Sequence, residues 1–117
     1  MNLKKTIKKI NSLLPLKLQR EVYWRKNRLT RRSVIADWKS RGMQVPPPHQ
    51  YKQSVIEEVG KKYNLSTLIE TGTLFGLMIE CQRKFFKKLI SVELDSKLFE
   101  NAKNYFKEYA HIKILQG

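Results

Sequence analysis

The chain has 117 residues and carries 24 Lys/Arg against 10 Asp/Glu, a formal charge of +14. That length suits one small domain rather than two. A single cysteine, Cys81, excludes an intrachain disulfide framework and suits a reducing, cytoplasmic setting. No run of about 18 apolar residues occurs, so no stretch reads as membrane-spanning.

The basic excess is N-terminal: residues 1–50 hold 13 Lys/Arg against only Glu21 and Asp37. Such a concentration either attracts an anionic surface, nucleic acid or membrane, through residues 1–41, or is a solvated leader. Leu3, Ile7, Ile10 and Leu14 recur at helical spacing among Lys4, Lys5, Lys8 and Lys9. This predicts a short basic amphipathic helix ending near Pro15. Such a helix packs on its own domain, frays, or lies on an anionic membrane. Over residues 16–41, Arg20, Arg25, Lys26, Arg28, Arg31 and Arg32 alternate with Tyr23, Trp24 and Trp38. Helix is expected over Ser33–Arg41, stopped at Gly42. Basic residues mixed with aromatics suit phosphate contact and stacking, or a solvated helix whose aromatics rest on the domain. No nucleic-acid module is legible there.

Residues 1–45 therefore read as a basic helical leader. Pro46-Pro47-Pro48 stiffens a linker over residues 46–50, and the folded unit spans 51–117. Tyr51, Val55, Ile56, Val59 and Tyr63 line one face of a helix, Tyr51–Tyr63. A strand follows at Thr67–Thr71, then a helix from about Phe75 to Phe86, and a second strand at Lys88–Leu94. Asp95 or Ser96 caps a helix with Leu98, Ala102, Tyr105, Phe106 and Tyr109 as its stripe. A third strand covers His111–Leu115. Strands alternating with helices imply a parallel sheet with right-handed crossovers.

The chemistry concentrates where the first strand ends. Glu70 closes that strand, Gly72 and Gly76 follow as E-x-G-x-x-x-G, and Glu93 closes the second strand. Ligands of open α/β sheets bind beyond the carboxyl ends of strands. Glycines let backbone approach a ligand, and an acid ending the second strand can accept from both ribose hydroxyls. Thr71 and Thr73 can add hydroxyl contacts. The G-x-G-x-x-G of nicotinamide sites is absent. His49 and His111 lack metal-ligand spacing and read as surface or helix-flanking residues, so no metal is expected.

These stretches, Thr67–Gly76, Ile90–Asp95 and Ile112–Gly117, resemble the first three strands of a class I S-adenosylmethionine (AdoMet)-dependent methyltransferase. Glu70, Gly72 and Gly76 match the acid and outer glycines of that family's first motif, with Leu74 in place of its middle glycine. Glu93 matches the ribose-binding acid, and Leu94 falls where an apolar residue flanks adenine. The resemblance implies an α/β fold, a partial Rossmann-like three-layer sandwich. It would have three parallel strands in order 3-2-1 with flanking helices, preceded by the basic leader. It also implies AdoMet as cofactor, bound by Glu70, Thr71, Gly72, Thr73, Gly76, Glu93 and Leu94, with the methyl acceptor and the catalytic residue unassigned.

Seven strands complete that fold, and Gly117 follows the third. Strand one would be an unprotected apolar edge, inviting self-association or completion by another chain. The expectation is thus the N-terminal half of a methyltransferase: the first part of a longer enzyme, a truncated gene product, or one half of a split protein. The alternatives are a basic module for nucleic acid or anionic membrane, or a fragment without function.

Overall fold

The structure is a computed structural model and describes residues 2–117. Asn2 caps α1 (Leu3–Ser12), its side-chain oxygen accepting from the Lys4 N–H at 3.1 Å. Helix α1 buries no residue. Pro15 then opens α2 (Leu16–Ser40), one unbroken helix of 25 residues. The expectation of helix over Ser33–Arg41 alone is too short. Proline is tolerated at a helix start, and neither Gly nor Pro recurs before Gly42.

The inward stripe of α2 mixes half-buried Tyr23, Trp24, Val34, Ile35 and Trp38 with polar residues, which obscures its apolar periodicity. Arg20 and Asn27 are buried, and Trp24 packs against the core. The Arg20 guanidinium lies 4.1 Å from the centre of the Tyr105 ring and donates to Asn101 Oδ1 at 3.3 Å. Arg31 donates to Ser54 Oγ at 2.7 Å. Cation–π contact and hydrogen bonds offset part of the desolvation of these groups, while Arg20 Nε is buried without a partner. The helix rests on the helical segments His49–Lys62 and Ser96–Phe106, so the leader's aromatics lie on the folded unit.

Helix α3 (His49–Lys62) starts directly after Pro48. Strand β1 (Thr67–Thr71) leads to α4 (Leu77–Gln82), which is shorter than the expected Phe75–Phe86. Phe75 and Gly76 belong to the turn before it. Beyond Gln82 the chain bends, with the Phe85 and Phe86 N–H groups both donating to the Gln82 carbonyl. This carries the Phe86 ring onto Gly60 of α3, where a Cβ would sit 2.8 Å from it. Strand β2 (Lys88–Glu93), α5 (Ser96–Phe106) and β3 (Ile112–Gln116) complete the series, with Asp95 capping α5 through the Leu98 N–H.

The sheet is parallel in spatial order β1-β2-β3, which is 3-2-1 read from the other edge. Register sets Leu68 beside Leu89 and Glu70 beside Ser91, with Ile112 and Ile114 continuing the same face. Ile79, Phe86, Leu89, Ala102, Phe106 and Ile114 form the core on that face. The opposite face carries Thr67, Ile69, Thr71, Ile90, Val92 and Leu115; Ile69 remains 65% exposed. Among the described residues, the partial sandwich consists of the sheet and one helical layer.

Two substitutions test this asymmetry. Phe106→Ala should lower unfolding free energy by about 3–5 kcal/mol, because it empties the centre of the core. Ile69→Thr should change it by less than about 0.5 kcal/mol. Urea denaturation of both variants measures the contrast.

Candidate functional site

The turn after β1 has three residues with positive φ: Gly72 at 82°, Leu74 at 50° and Gly76 at 75°. Gly72 continues the sheet by donating to the Val92 carbonyl at 2.8 Å, with open space where a Cβ would stand. Gly76 is required twice. Its φ is left-handed, and a Cβ there would lie 2.6 Å from the Phe106 ring. Leu74 occupies the left-handed region without glycine's freedom, and Glu93 stabilises it there. Glu93 Oε2 accepts from the Leu74 N–H at 2.8 Å, and Oε1 accepts from the Asp95 N–H at 3.0 Å. Glu93 is buried, so these charge-assisted bonds act with little competition from water. From the helical side, Trp24 Nε1 donates to the Phe75 carbonyl at 3.1 Å.

Glu70 lies behind the turn. Ser91 Oγ donates to Glu70 Oε1 at 2.8 Å, and Thr73 Oγ1 lies 2.6 Å from Ser91 Oγ. With Ser91's proton given to the carboxylate, Thr73 donates to Ser91. Burial raises the Glu70 carboxyl to about 7, opposed by the Ser91 hydrogen bond and reinforced by the charge of Glu93.

A cavity of about 100 Å³ lies between Glu70, Gly72, Thr73, Tyr23 and His49. His49 was read from sequence as a surface or flanking residue; here it is half-buried at the start of α3. Its Nδ1 lies 2.8 Å from Gln53 Nε2, an amide that can only donate, so Nδ1 accepts and Nε2 carries the hydrogen. Gln53 also reaches Asn27 Oδ1 at 3.3 Å, tying this imidazole to α2. Burial, with the charge of Lys52, lowers the His49 pKa and so favours the neutral ring. A larger hollow of about 520 Å³ between α5 and β3, lined in part by Lys103, Lys107 and Lys113, contains neither Glu70 nor Glu93.

The structure thus brings Glu70, Gly72, Thr73, Gly76 and Glu93 together. Thr71 falls on the open sheet face, opposite Glu70, and Leu94 is exposed at the surface just past β2. Tyr23, His49 and Ser91 were missed. Ser91 was findable, since register sets it beside Glu70, but Tyr23 and His49 arrive only through tertiary packing. His111 hydrogen-bonds the Arg83 carbonyl at 2.9 Å and has a structural role.

No protein-family model and no curated protein matches the sequence. Solved structures do. A protein assigned as a caffeoyl-CoA O-methyltransferase from Staphylococcus aureus superposes with a TM-score of 0.53 at 14% identity, over 86% of this chain and 51% of that one. The SAH-bound methyltransferase PaMTH1 of Podospora anserina gives 0.50 at 14% identity, over 72% of this chain and 41% of its own. YcgJ of Bacillus subtilis also gives 0.50 at 14% identity, over 59% of this chain and 30% of its own. The fold is class I methyltransferase-like over the part of these structures that the chain spans. The chain spans about half or less of the length of these structures.

Glu70 makes a pH prediction. Its folded pKa lies above the ordinary value of 4.5, so the folded state holds the proton more tightly. The associated stability is fully present below about pH 4.5 and is lost as pH rises through about 7. Glu70→Gln, which mimics the protonated acid, should therefore raise stability by about 2–3 kcal/mol at pH 8 and leave it nearly unchanged at pH 4. Paired urea titrations at the two pH values measure the difference.

Proposed function

We propose that this chain is the cofactor-binding half of an AdoMet-dependent methyltransferase. The observation that carries the reading is Glu93, which closes β2 and has both carboxylate oxygens on the backbone of the glycine turn and of the α5 cap. A carboxylate offers about four lone-pair sites. Two are occupied, leaving capacity for a pair of ribose hydroxyls. The open space above Gly72 supports close approach of a ligand to the turn.

The cavity at Glu70 suits the amino-acid end of AdoMet. Its volume of about 100 Å³ is small beside the ~300–1,000 Å³ of whole-ligand pockets, so it takes a head group and not a nucleoside. Glu70 would accept from the ammonium, and the His49 Nε2–H would donate to the carboxylate. Adenosine would extend outward past Glu93 toward Leu94, with Thr71 the most peripheral of the expected contacts. AdoMet supplies an activated methyl group; the residues of this chain bind and orient it. The methyl acceptor and its base would belong to the other half of the sheet. The open face and free edge of β1 support completion by such a half or by a second copy. The single thiol, Cys81, supports a cytoplasmic setting.

Titration calorimetry with AdoMet should give binding that weakens at least about tenfold on Glu93→Ala, the loss expected for hydrogen bonds to a charged group. An ammonium beside Glu70 favours its carboxylate, so binding at pH 6.5 should release protons, seen as heats that differ between buffers of different ionisation enthalpy. Absence of AdoMet binding, in this chain and in one extended by further sheet strands, overturns the reading.

A further inference from the structure

We propose that α1 is an interfacial helix that seats the protein on anionic phospholipid. This inference is independent of the cofactor reading. The helix and its C-cap carry an apolar stripe that the domain does not use: Leu3 is 69%, Ile7 57%, Ile10 59% and the C-cap Leu13 80% exposed. The remaining surface of α1 carries Lys4, Lys5, Lys8 and Lys9, and no acid occurs before Glu21. Of the three readings open from sequence, packing on the domain is removed, since α1 buries no residue.

The helix is also held in a defined relation to α2. Gln19 Nε2 donates to the Leu14 carbonyl at 2.6 Å and to the Ser12 carbonyl at 3.4 Å, fastening the junction around Pro15. Beyond that junction Leu18, Val22 and Leu29 of α2 are exposed too, among Arg25, Lys26, Arg28 and Arg32.

Charge and stripe together select the partner. A helix lying in the headgroup plane buries its apolar side in the acyl boundary. Its lysines extend their stems to reach anionic headgroups. Nucleic acid would neutralise the lysines but offers no sink for Leu3, Ile7 and Ile10. Residues 2–22 contain no aromatic side chain on which a base could stack.

The test is co-sedimentation of the full chain with phosphatidylcholine vesicles and with vesicles containing about 30% phosphatidylglycerol. Binding should favour the anionic vesicles at least about tenfold at low salt and weaken as salt is raised. Ile7→Ser with Ile10→Ser keeps the charge and should reduce binding at least about tenfold. Its melting temperature should be unchanged, because α1 buries nothing in the fold. Replacing all four lysines by Gln should abolish the preference for anionic vesicles. The proposal is overturned if the chain fails to sediment with anionic vesicles, or if the double Ser variant binds as well as the parent. It is also overturned if a single-stranded RNA oligomer is bound more tightly than the vesicles and unaffected by the Ser changes. Lipid-free dimerisation abolished by the Ser changes would overturn it as well, by making the stripe a contact between copies.

Discussion

The hydrogen bond from the Leu74 N–H to Glu93 Oε2 holds the glycine turn against the end of β2. A leucine in the left-handed region costs roughly 1–2 kcal/mol, and a charge-assisted bond in a buried setting offsets a cost of that size. Once Leu74 is held, Gly72 can keep its hydrogen bond to the Val92 carbonyl, and Gly76 can start α4 against the Phe106 ring. The second oxygen of Glu93 holds Asp95, whose own side chain caps α5. One carboxylate therefore connects the turn after β1 to the helix after β2. Trp24 meets the same turn from α2 and closes the arrangement from the other side.

The fold is lopsided around this centre. All the large buried side chains lie on the helical face of the sheet, and the seam between α2 and the rest is made by Arg20, Asn27, Arg31 and Trp24. A seam of hydrogen bonds and ring contacts positions a helix well but contributes less apolar burial than a leucine stripe would. Three apolar residues of α2, Leu18, Val22 and Leu29, point elsewhere and stay exposed. Residues 2–41 thus combine a mixed aromatic and polar attachment with an outer surface that is basic and partly apolar.

Much of this was legible in the sequence. The three strands were placed to within a residue, because β-formers between turn residues leave a short, bounded signal. Glu70 and Glu93 were found through their positions at strand ends, which the topology brings side by side. The misreadings share one cause, tertiary contact overriding local pattern. Helix α2 runs through residues whose buried members are Arg and Asn, so its inward face resembled a solvated one. Helix α4 stops early because Phe86 is drawn into the space left by Gly60. His49 looked like linker until α3 brought it to the cavity beside Glu70, with Gln53 and Asn27 deciding which ring nitrogen keeps the hydrogen.

The Thr73–Ser91–Glu70 chain has two polarities. With Glu70 ionised, both hydroxyl protons point inward, Thr73 to Ser91 and Ser91 to the carboxylate. With Glu70 protonated, the acid can donate to Ser91 and Ser91 to Thr73, and the Thr73 proton is released to point away from Ser91. The charge state of a buried acid is thereby written onto a hydroxyl three residues along the turn, without displacement of any heavy atom. A cation that holds Glu70 ionised would turn the outer end of the chain into an acceptor, and its departure near neutral pH would turn that end back into a donor.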